Sequence, residues 1–249
     1  MTAAPGTTPP GASTEREAAE WVRRMFAAIA PRYDFINHLL SFNIDRLWRR
    51  DLRKSLAPVL GRPTAKVLDL CCGTGDVLLA FEARASAFVF GADFCHEMLA
   101  SAQRKALSAR RPALLFEADA LQLPIADSSL DAVSIAFGFR NLANYESGLR
   151  ELYRVLKPGG RLAILEFSHP RGLVRAAYTL YSRLVLPAVG SLLSGSRNAY
   201  AYLPVSIDRF PRAPELRDRM NAAGFATEFR LLTGGIAALH TATKSCASQ

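Results

Sequence analysis

One short stretch of the sequence combines residue types that bind small polar ligands. Residues 67–76 read Val-Leu-Asp-Leu-Cys-Cys-Gly-Thr-Gly-Asp, an apolar strand pattern followed by a turn of small residues and a helix pattern. Glycine lets a backbone approach a ligand closely, and the first N–H groups of a helix lack partners within that helix. The candidates for ligand contact in this stretch are Asp69, Cys71, Gly73, Thr74 and Gly75.

Carboxylates follow the next two strand patterns. Asp93 ends the second pattern, 24 residues after Asp69, and Asp119 with Ala120 follows the third. A carboxylate at the second position suits the hydroxyls of a ribose, and one at the third position suits an adenine amino group. A dinucleotide site would have a third glycine where this chain has Leu78. The set predicts a nucleoside cofactor without a pyrophosphate, which S-adenosylmethionine fits.

The elements that must position these residues form an α/β pattern. Short apolar runs alternate with helical stretches, which predicts a parallel sheet covered on both faces. A helix near 213–223 and two strands joined by a Thr-Gly-Gly turn would close the sheet as a hairpin. The predicted strands are 66–70, 88–92, 113–118, 132–137, 161–166, 227–232 and 236–243.

The chain is expected to form one domain, residues 15–249, behind a tail. Residues 1–14 consist largely of Pro, Gly, Thr, Ser and Ala, and this composition predicts disorder. Within the domain we expect N-terminal helices, a cofactor-binding core, a substrate-side helical insert, and a C-terminal helix with the closing strands. Their predicted ranges are 15–60, 66–169, 170–212 and 213–244.

The charge of the chain is unevenly distributed. The 249 residues carry a formal net charge of +9, yet residues 67–169 hold 10 basic and 12 acidic side chains. Residues 16–66 have a net charge of +6 and residues 170–219 of +5. The total would suit a nucleic acid, but this distribution favours contact of the two flanks with an anionic membrane surface.

The cysteine and N-terminal patterns bear on location and metal content. The four cysteines have no metal-ligand spacing, and Cys71 and Cys72 are poor candidates for a disulfide because they are adjacent. No basic region followed by an apolar run opens the chain. We therefore expect a cytoplasmic protein, peripheral at the inner face of the cell membrane, without a metal.

Five further motifs carry a specific family resemblance. They are APRYDFIN at 30–37, DRLWRR at 45–50, FGFRN at 137–141, LEFS at 165–168 and YLPVSI at 202–207. With them, residues 24–244 resemble the UbiE/MenG-type C-methyltransferases of ubiquinone and menaquinone synthesis. The resemblance implies a class I methyltransferase fold, a Rossmann-like sheet of seven mostly parallel strands with an antiparallel last strand. It also implies cofactor contacts at Thr74, Asp93, Asp119, Ala120 and Ala136.

The resemblance implies a prenylated quinol as the substrate. A quinol ring carbon attacks well once a neighbouring hydroxyl has lost its proton, and the pKa of such a hydroxyl is roughly 10. Arg140 is the candidate to stabilise the phenolate, and its own pKa is too high for it to act as a base. The proton would pass to water, His169 or Tyr33, and Asn141 completes the catalytic candidates.

Several alternatives remain open at this point. The resemblance favours demethylmenaquinol over a benzoquinol, an oligomer of identical chains is possible, and nucleic acid is not an expected partner. An RNA methyltransferase would usually carry an Asp/Asn-Pro-Pro-aromatic sequence where this chain has Phe-Gly-Phe-Arg-Asn at 137–141. A non-catalytic assembly subunit of the same fold is the third reading, against which the intact cofactor residues speak.

Overall fold

A seven-stranded sheet forms the centre of the protein. The structure, a computed structural model, describes residues 6–83, 85–111, 113–170, 172, 174, 175, 181 and 197–245. The strand order is β3-β2-β1-β4-β5-β7-β6. The strands are β1 (Lys66–Leu70), β2 (Phe88–Asp93), β3 (Leu115–Glu117), β4 (Leu130–Ala136), β5 (Leu156–Phe167), β6 (Phe225–Leu232) and β7 (Ala237–Lys244).

Strand directions follow the predicted plan. Strands β1 to β5 are parallel, and β7 runs antiparallel to both β5 and β6. The carboxyl ends of β1 to β5 therefore lie along one edge of the sheet, where open α/β sheets bind ligands. The predicted class I methyltransferase fold, with its mostly parallel sheet and antiparallel last strand, is confirmed.

Two strands, β3 and β5, differ most from their predicted bounds, and each of the others agrees to within two residues at both ends. Strand β3 has three residues, Leu115–Glu117, where the pattern predicted six. Strand β5 begins at Leu156, five residues early, because Leu156 pairs with Leu130 before the register shifts. The Lys-Pro-Gly-Gly turn at 157–160 consequently lies inside the strand as an irregularity, with Gly159 at a φ of +75°.

Helices cover both faces of the sheet. One apolar cluster includes Phe139, Leu149 and Leu216, and the other includes Trp48 and Phe81. The helices are α1 (Glu15–Ile29), α2 (Tyr33–Leu40), α3 (Ile44–Ser55), α4 (Ala57–Leu60), α5 (Asp76–Glu82), α6 (His96–Ser108), α7 (Tyr145–Val155), α8 (Arg197–Arg209) and α9 (Ala213–Ala222).

The N-terminal helices form because their apolar residues recur at helical spacing. Thr14 caps α1 through a reciprocal hydrogen-bonded pair with Glu17. Val22, Met25 and Ile29 are buried on one side of α1. This side packs with α6 residues and with Tyr202 in a third apolar cluster, which fixes α1 above the edge of the sheet where the parallel strands end.

Residues 6–14, for which the composition predicts disorder, make defined contacts. Thr7 is buried, and its N–H donates to the carbonyl of Leu142 at 2.8 Å. Its hydroxyl lies 2.5 Å from the hydroxyl of Tyr202, 195 residues away. Composition alone could not show these contacts, because the partners of Thr7 lie far along the chain. The prediction for residues 1–5 lies outside the described residues.

The predicted insert at 170–212 is described in part. Helix α8 forms its C-terminal portion, whereas residues 171, 173, 176–180 and 182–196 lie outside the described residues. Within the described ranges, no helix combines the length and the apolar character that crossing a membrane requires.

Candidate functional site

A cavity opens where the parallel strands end. This strand-end cavity has an empty volume of about 730 Å³ and is lined from β1, β2, β4, the segment after β3, and α1. Six of the nine predicted cofactor residues line it, four of them predicted from the strand-turn pattern and two, Ala120 and Ala136, implied by the family resemblance. They are Cys71, Gly73, Asp93, Asp119, Ala120 and Ala136.

The glycine turn holds the floor of this cavity in an unusual backbone conformation. Gly73 has a φ of +55°, and a Cβ placed on it would meet no protein atom within 4 Å. Gly75 has a φ of +84° and precedes the first residue of α5. Both values lie in the left-handed region that glycine adopts without strain. The turn therefore leaves open space beside the backbone at Gly73.

Asp93 fixes the turn from the neighbouring strand. Its Oδ2 accepts the N–H of Gly73 at 2.9 Å, and its Oδ1 accepts the N–H of Cys95 at 2.9 Å. Burial raises the pKa of Asp93 to about 6, although the backbone hydrogen bonds counteract this effect. An ionised carboxylate has about four acceptor sites, so the hydrogen bonds from the backbone leave acceptor capacity for a ligand.

Asp119 and Ala120 form another part of the wall. The Oδ1 of Asp119 accepts the N–H of Leu121 at 2.9 Å, and a bridge between Asp119 and Gln122 closes this turn. The Asp119 residue is exposed while Ala120 is buried. A carboxylate that stays accessible at this point has an acceptor available for a ligand amino group.

Asp69 lies outside the lining of the cavity. It pairs in the sheet with Gly91 and Ser134, and the Ser134 hydroxyl donates to its Oδ1 at 2.7 Å. Its Oδ2 has no hydrogen-bond partner among the described residues. Burial raises the pKa of Asp69 to about 7. The contacts of Asp69 thus lie within the sheet, and its part in the cofactor site stays a prediction.

Thr74 and Gly75 also lie beside the cavity rather than in its lining. The Thr74 hydroxyl donates to Asp34 of α2, and the Nζ of Lys105 lies 3.4 Å from it. Gly75 is packed against Ala102 of α6, where an added Cβ would lie 3.1 Å from the alanine Cβ. These two residues hold the glycine turn against neighbouring helices.

A charge network joins the N-terminal helices to the glycine turn. The Nζ of Lys105 lies 2.6 Å from a carboxylate oxygen of Asp34 and 2.6 Å from one of Asp76. Arg49 contacts the other oxygen of Asp76 at 2.9 Å. Burial alone would raise the pKa of Asp76, but Arg49 and Lys105 lower it below its usual value. The network comprises Asp34, His38, Asp45, Arg49, Asp76 and Lys105.

A second, larger cavity adjoins the first. This apolar cavity has an empty volume of about 1490 Å³ and is lined mainly by aromatic and aliphatic side chains of α1, α2, α3 and α8. Phe26, Tyr33 and Phe137 line both cavities. They form a shared wall between the two cavities, so ligands bound in the two cavities would lie next to each other.

Phe137 occupies that wall in a strained conformation. Its φ is +60°, which is rare for an aromatic residue, and its ring packs 4.8 Å from the ring of Phe167. The next residue must be small, because a Cβ on Gly138 would lie 2.4 Å from the Cβ of Cys71. The FGFRN motif was visible in the sequence, but this strain and close approach arise only in the assembled fold.

Arg140 lies at the bottom of the apolar cavity as a buried cation. Its Nη1 lies 2.9 Å from Oε1 of Glu166, and its backbone N–H donates to Oε2 of the same residue. The centre of its guanidinium lies 5.3 Å from the centre of the Phe167 ring. Burial opposes the charge, yet Glu166 outweighs it and raises the pKa of Arg140. Glu166 was not predicted. Its signal was a lone carboxylate ending an apolar strand pattern.

Tyr33 and Asn141 lie at the cavities as predicted for catalytic candidates. Burial raises the pKa of Tyr33, although Arg140 and Arg49 act to lower it. Its hydroxyl is hydrogen-bonded to Asn37. The Oδ1 of Asn141 accepts a hydrogen bond from the Tyr202 hydroxyl at 3.2 Å, and Asn141 lines the strand-end cavity.

The remaining candidates are His169, which lies away from the cavities, and the cysteines of the glycine turn, whose thiols are unreactive. His169 lines neither cavity, and its Nδ1 is buried without a hydrogen-bond partner among the described residues. Burial raises the pKa of the Cys71 and Cys72 thiols well above their usual range. The two cysteines are therefore neutral at physiological pH and are poor nucleophiles.

Comparison with known proteins gives one family and consistent relatives. The model of the ubiE/COQ5 methyltransferase family matches residues 13–244. The demethylmenaquinone methyltransferase of Thermus thermophilus is 50% identical over 87% of this chain and 98% of its own. The Deinococcus radiodurans protein of that name is 44% identical over 94% and 97%. The ubiquinone/menaquinone biosynthesis C-methyltransferase UbiE of Geotalea daltonii is 43% identical over 92% and 98%.

Solved structures share the fold at low sequence identity. The [4+2]-cyclase SpnF has a TM-score of 0.70 and 18% identity, covering 97% of this chain and 100% of that chain. A putative methyltransferase solved with the Haloferax volcanii Trm112 activator has a TM-score of 0.61 and 18% identity, covering 89% and 98%. Because one fold hosts many chemistries, these similarities bear on architecture alone.

Proposed function

The chain belongs to the ubiE/COQ5 methyltransferase family, and from this membership we propose that it methylates a ring carbon of a prenylated quinol with S-adenosylmethionine as the donor. The proposed reaction converts demethylmenaquinol to menaquinol. Two relatives named for that activity are 50% and 44% identical over nearly the whole chain. This proposal takes the substrate from the relatives and the chemistry from the two cavities.

The strand-end cavity suits S-adenosylmethionine. Gly73 leaves space that a Cβ would fill, which is suitable for the amino-acid end of the cofactor. Asp93 has acceptor capacity for the ribose hydroxyls, and the accessible carboxylate of Asp119 suits the adenine amino group. The bound cofactor supplies a methyl group on a positively charged sulfur, which departs as a neutral thioether.

The observation that carries the proposal is the shared wall between a cavity that holds two carboxylates and a larger, more apolar cavity. Carboxylates and open backbone lie on one side, at Gly73, Asp93 and Asp119. Aromatic side chains and a buried arginine lie on the other side. A polar cofactor and a lipid-tailed ring would meet at Phe137. Methyl transfer needs such an arrangement, because the two reacting atoms must be aligned at close range.

Arg140 supplies the charge that the quinol needs. A quinolate oxygen near its guanidinium would be stabilised in a site that excludes water, while Glu166 holds the guanidinium in place. The ring carbon gains the methyl group and then loses its proton, which restores the aromatic ring. Tyr33 is protonated at neutral pH because its pKa is raised, so we assign it hydrogen-bond donation and assign proton removal to water.

Turnover of both quinol classes with radiolabelled cofactor tests this function. We expect label in the naphthoquinol ring. Arg140→Lys keeps the charge but loses the planar fork, so its kcat should fall about 100-fold with unchanged cofactor affinity. Arg150→Lys, at an exposed arginine of α7, is the matched control. Full turnover by Arg140→Lys would remove Arg140 from the mechanism.

The same experiment separates the alternatives. The Geotalea daltonii relative, named for both ubiquinone and menaquinone synthesis, is 43% identical to this chain, so a benzoquinol is the second candidate substrate. Label in the benzoquinol alone would replace the proposed substrate and keep the reaction class. Label in added RNA, with neither quinol methylated, would overturn the proposal.

A further inference from the structure

Large apolar side chains are exposed together on the second and third helices. Phe35 is 65% exposed, Leu39 44%, Phe42 71% and Leu47 52%. Phe35 and Leu39 lie four residues apart on α2 and so share one side of that helix. Exposed apolar residues scattered singly are ordinary, but the 13 residues from Phe35 to Leu47 carry four of them, and we refer to these four side chains as the patch.

Basic side chains accompany this patch. Arg46, Arg50 and Lys54 are exposed and follow one another at four-residue spacing along α3. They consequently form a stripe on one side of the helix, next to Leu47. An apolar patch beside a row of cations is the pattern of a helix that lies in a lipid interface.

The acidic side chains of this segment do not neutralise the positive charge of the stripe. Asp45 is buried and paired with Arg49 and His38. Asp34 is paired with Lys105. Asp51 lies 3.2 Å from Arg230, a residue of β6. The stripe therefore keeps its positive charge, which favours an anionic partner over a second copy of the same basic surface.

The patch adjoins the apolar cavity at Phe42. Phe42 and Tyr181 both line that cavity, and their rings lie 5.9 Å apart. The hydroxyl of Tyr181 donates to the carbonyl of Leu40 at 2.6 Å, which ties it to the end of α2. Phe42 is thus both a cavity residue and one of the most exposed apolar side chains, so the patch and the cavity share this side chain.

We propose that this surface, formed by Phe35, Leu39, Phe42, Leu47 and the basic stripe, docks on an anionic lipid bilayer. The apolar side chains enter the interface, and Arg46, Arg50 and Lys54 pair with headgroup phosphates. A substrate with a lipid tail would then pass from the bilayer into the apolar cavity without crossing water. This last step rests on the proposed function, whereas the docking itself does not.

Vesicle flotation with the full chain tests the docking. We expect binding to phosphatidylcholine vesicles that contain phosphatidylglycerol, and far weaker binding to phosphatidylcholine alone. Arg46→Gln/Arg50→Gln/Lys54→Gln should weaken binding about 100-fold, and Phe35→Ser/Leu39→Ser at least about 10-fold. Matched controls are Leu107→Ser, at a 62% exposed leucine of α6, and Arg104→Gln/Arg110→Gln. Circular dichroism confirms that each variant is folded.

Two outcomes would overturn the docking surface. They are equal binding to neutral and anionic vesicles, and wild-type binding by both test variants. Oligomerisation that the Phe35→Ser/Leu39→Ser change abolishes, without vesicle binding, would assign the patch to a second copy instead. Turnover separates the two proposals, since Phe35→Ser/Leu39→Ser should keep its activity on a short-tailed quinol in solution and lose it on a quinol in vesicles. If the wild type bound vesicles but methylated neither the short-tailed quinol nor the quinol in vesicles, the proposed substrate would be contradicted and the docking surface would stand.

Discussion

The two cavities meet at one wall but are built in different ways. The strand-end cavity takes most of its lining from segments that follow consecutive strands, so its polar groups are short-range features of the chain. The apolar cavity takes side chains from α1, α2, α3, α8 and the ends of β4 and β5. A site for a polar cofactor can therefore be encoded in local turns, whereas a site for a lipid-tailed ring depends on how distant helices assemble.

The junction between the cavities offers the strongest way to break this arrangement. Gly138→Ala would place a Cβ 2.4 Å from the Cβ of Cys71, so the ends of β1 and β4 must separate. We expect a loss of about 3 kcal/mol in the free energy of unfolding, together with weaker binding in both cavities. Urea denaturation measures it. Gly61→Ala is the control, since its Cβ would come no closer than 3.5 Å to another residue. Equal losses in the two variants would show that the junction tolerates a side chain.

A substitution in the strand-end cavity should have an effect on cofactor binding nearly as large, in free energy, as the loss of stability expected for Gly138→Ala. In Asp93→Asn, one of the N–H groups of Gly73 and Cys95 would face an amide NH₂ in place of a carboxylate oxygen. We expect cofactor affinity to fall about 100-fold, with little change in quinol affinity. Calorimetry with S-adenosylmethionine measures the first quantity. Asp218→Asn, at an exposed residue paired with Arg217, is the control. Unchanged cofactor affinity would detach Asp93 from the cofactor site.

A smaller effect distinguishes Asp69 from Asp93. The pKa of Asp69 is raised to about 7, so the folded state holds this proton more tightly than the unfolded chain does. The resulting stabilisation is present at low pH and is lost as the pH rises through 7. At pH 8 the wild type holds a buried charge at Asp69, so Asp69→Asn should have the larger free energy of unfolding. This difference in the free energy of unfolding should narrow by roughly 2 kcal/mol at pH 5, where Asp69 is protonated in the folded state.

Denaturation curves at the two pH values provide this measurement, and calorimetry provides the contrast. The cofactor affinity of Asp69→Asn should stay within a few-fold of the wild type, because Asp69 contacts Ser134 rather than the cavity. A loss as large as that of Asp93→Asn would restore Asp69 to the cofactor site.

The contrast between the cavities also explains what the sequence could predict. The strand pattern, the glycine turn and the strand-end carboxylates are short-range features, and they predicted the sheet and four residues that line the strand-end cavity. The family resemblance added two more, Ala120 and Ala136. Periodicity could not show that Asp69 lies outside the cavity lining, because it does not tell which way a side chain points in a strand buried on both faces. Glu166 was missed because its partner Arg140 lies 26 residues away on another strand end.

The contacts of the N-terminal residues were hidden for a similar reason. Thr7 is hydrogen-bonded to Leu142 and Tyr202, whose positions depend on α1, β4 and α8 being packed together. Pairing across such distances follows from the assembled core and leaves no periodic trace in the sequence. Burial and long-range hydrogen bonds therefore had to come from the structure.

The charge network should make the position of the N-terminal helices sensitive to ionic strength. Lys105 and Asp34 are each about one-third exposed, so dissolved ions reach their contact and weaken it. The buried contact between Arg140 and Glu166 is shielded from the same ions. Salt will thus loosen the N-terminal helices from the glycine turn while leaving the arginine in place. Under the proposed function, salt should therefore affect exchange of the cofactor more than stabilisation of the quinolate.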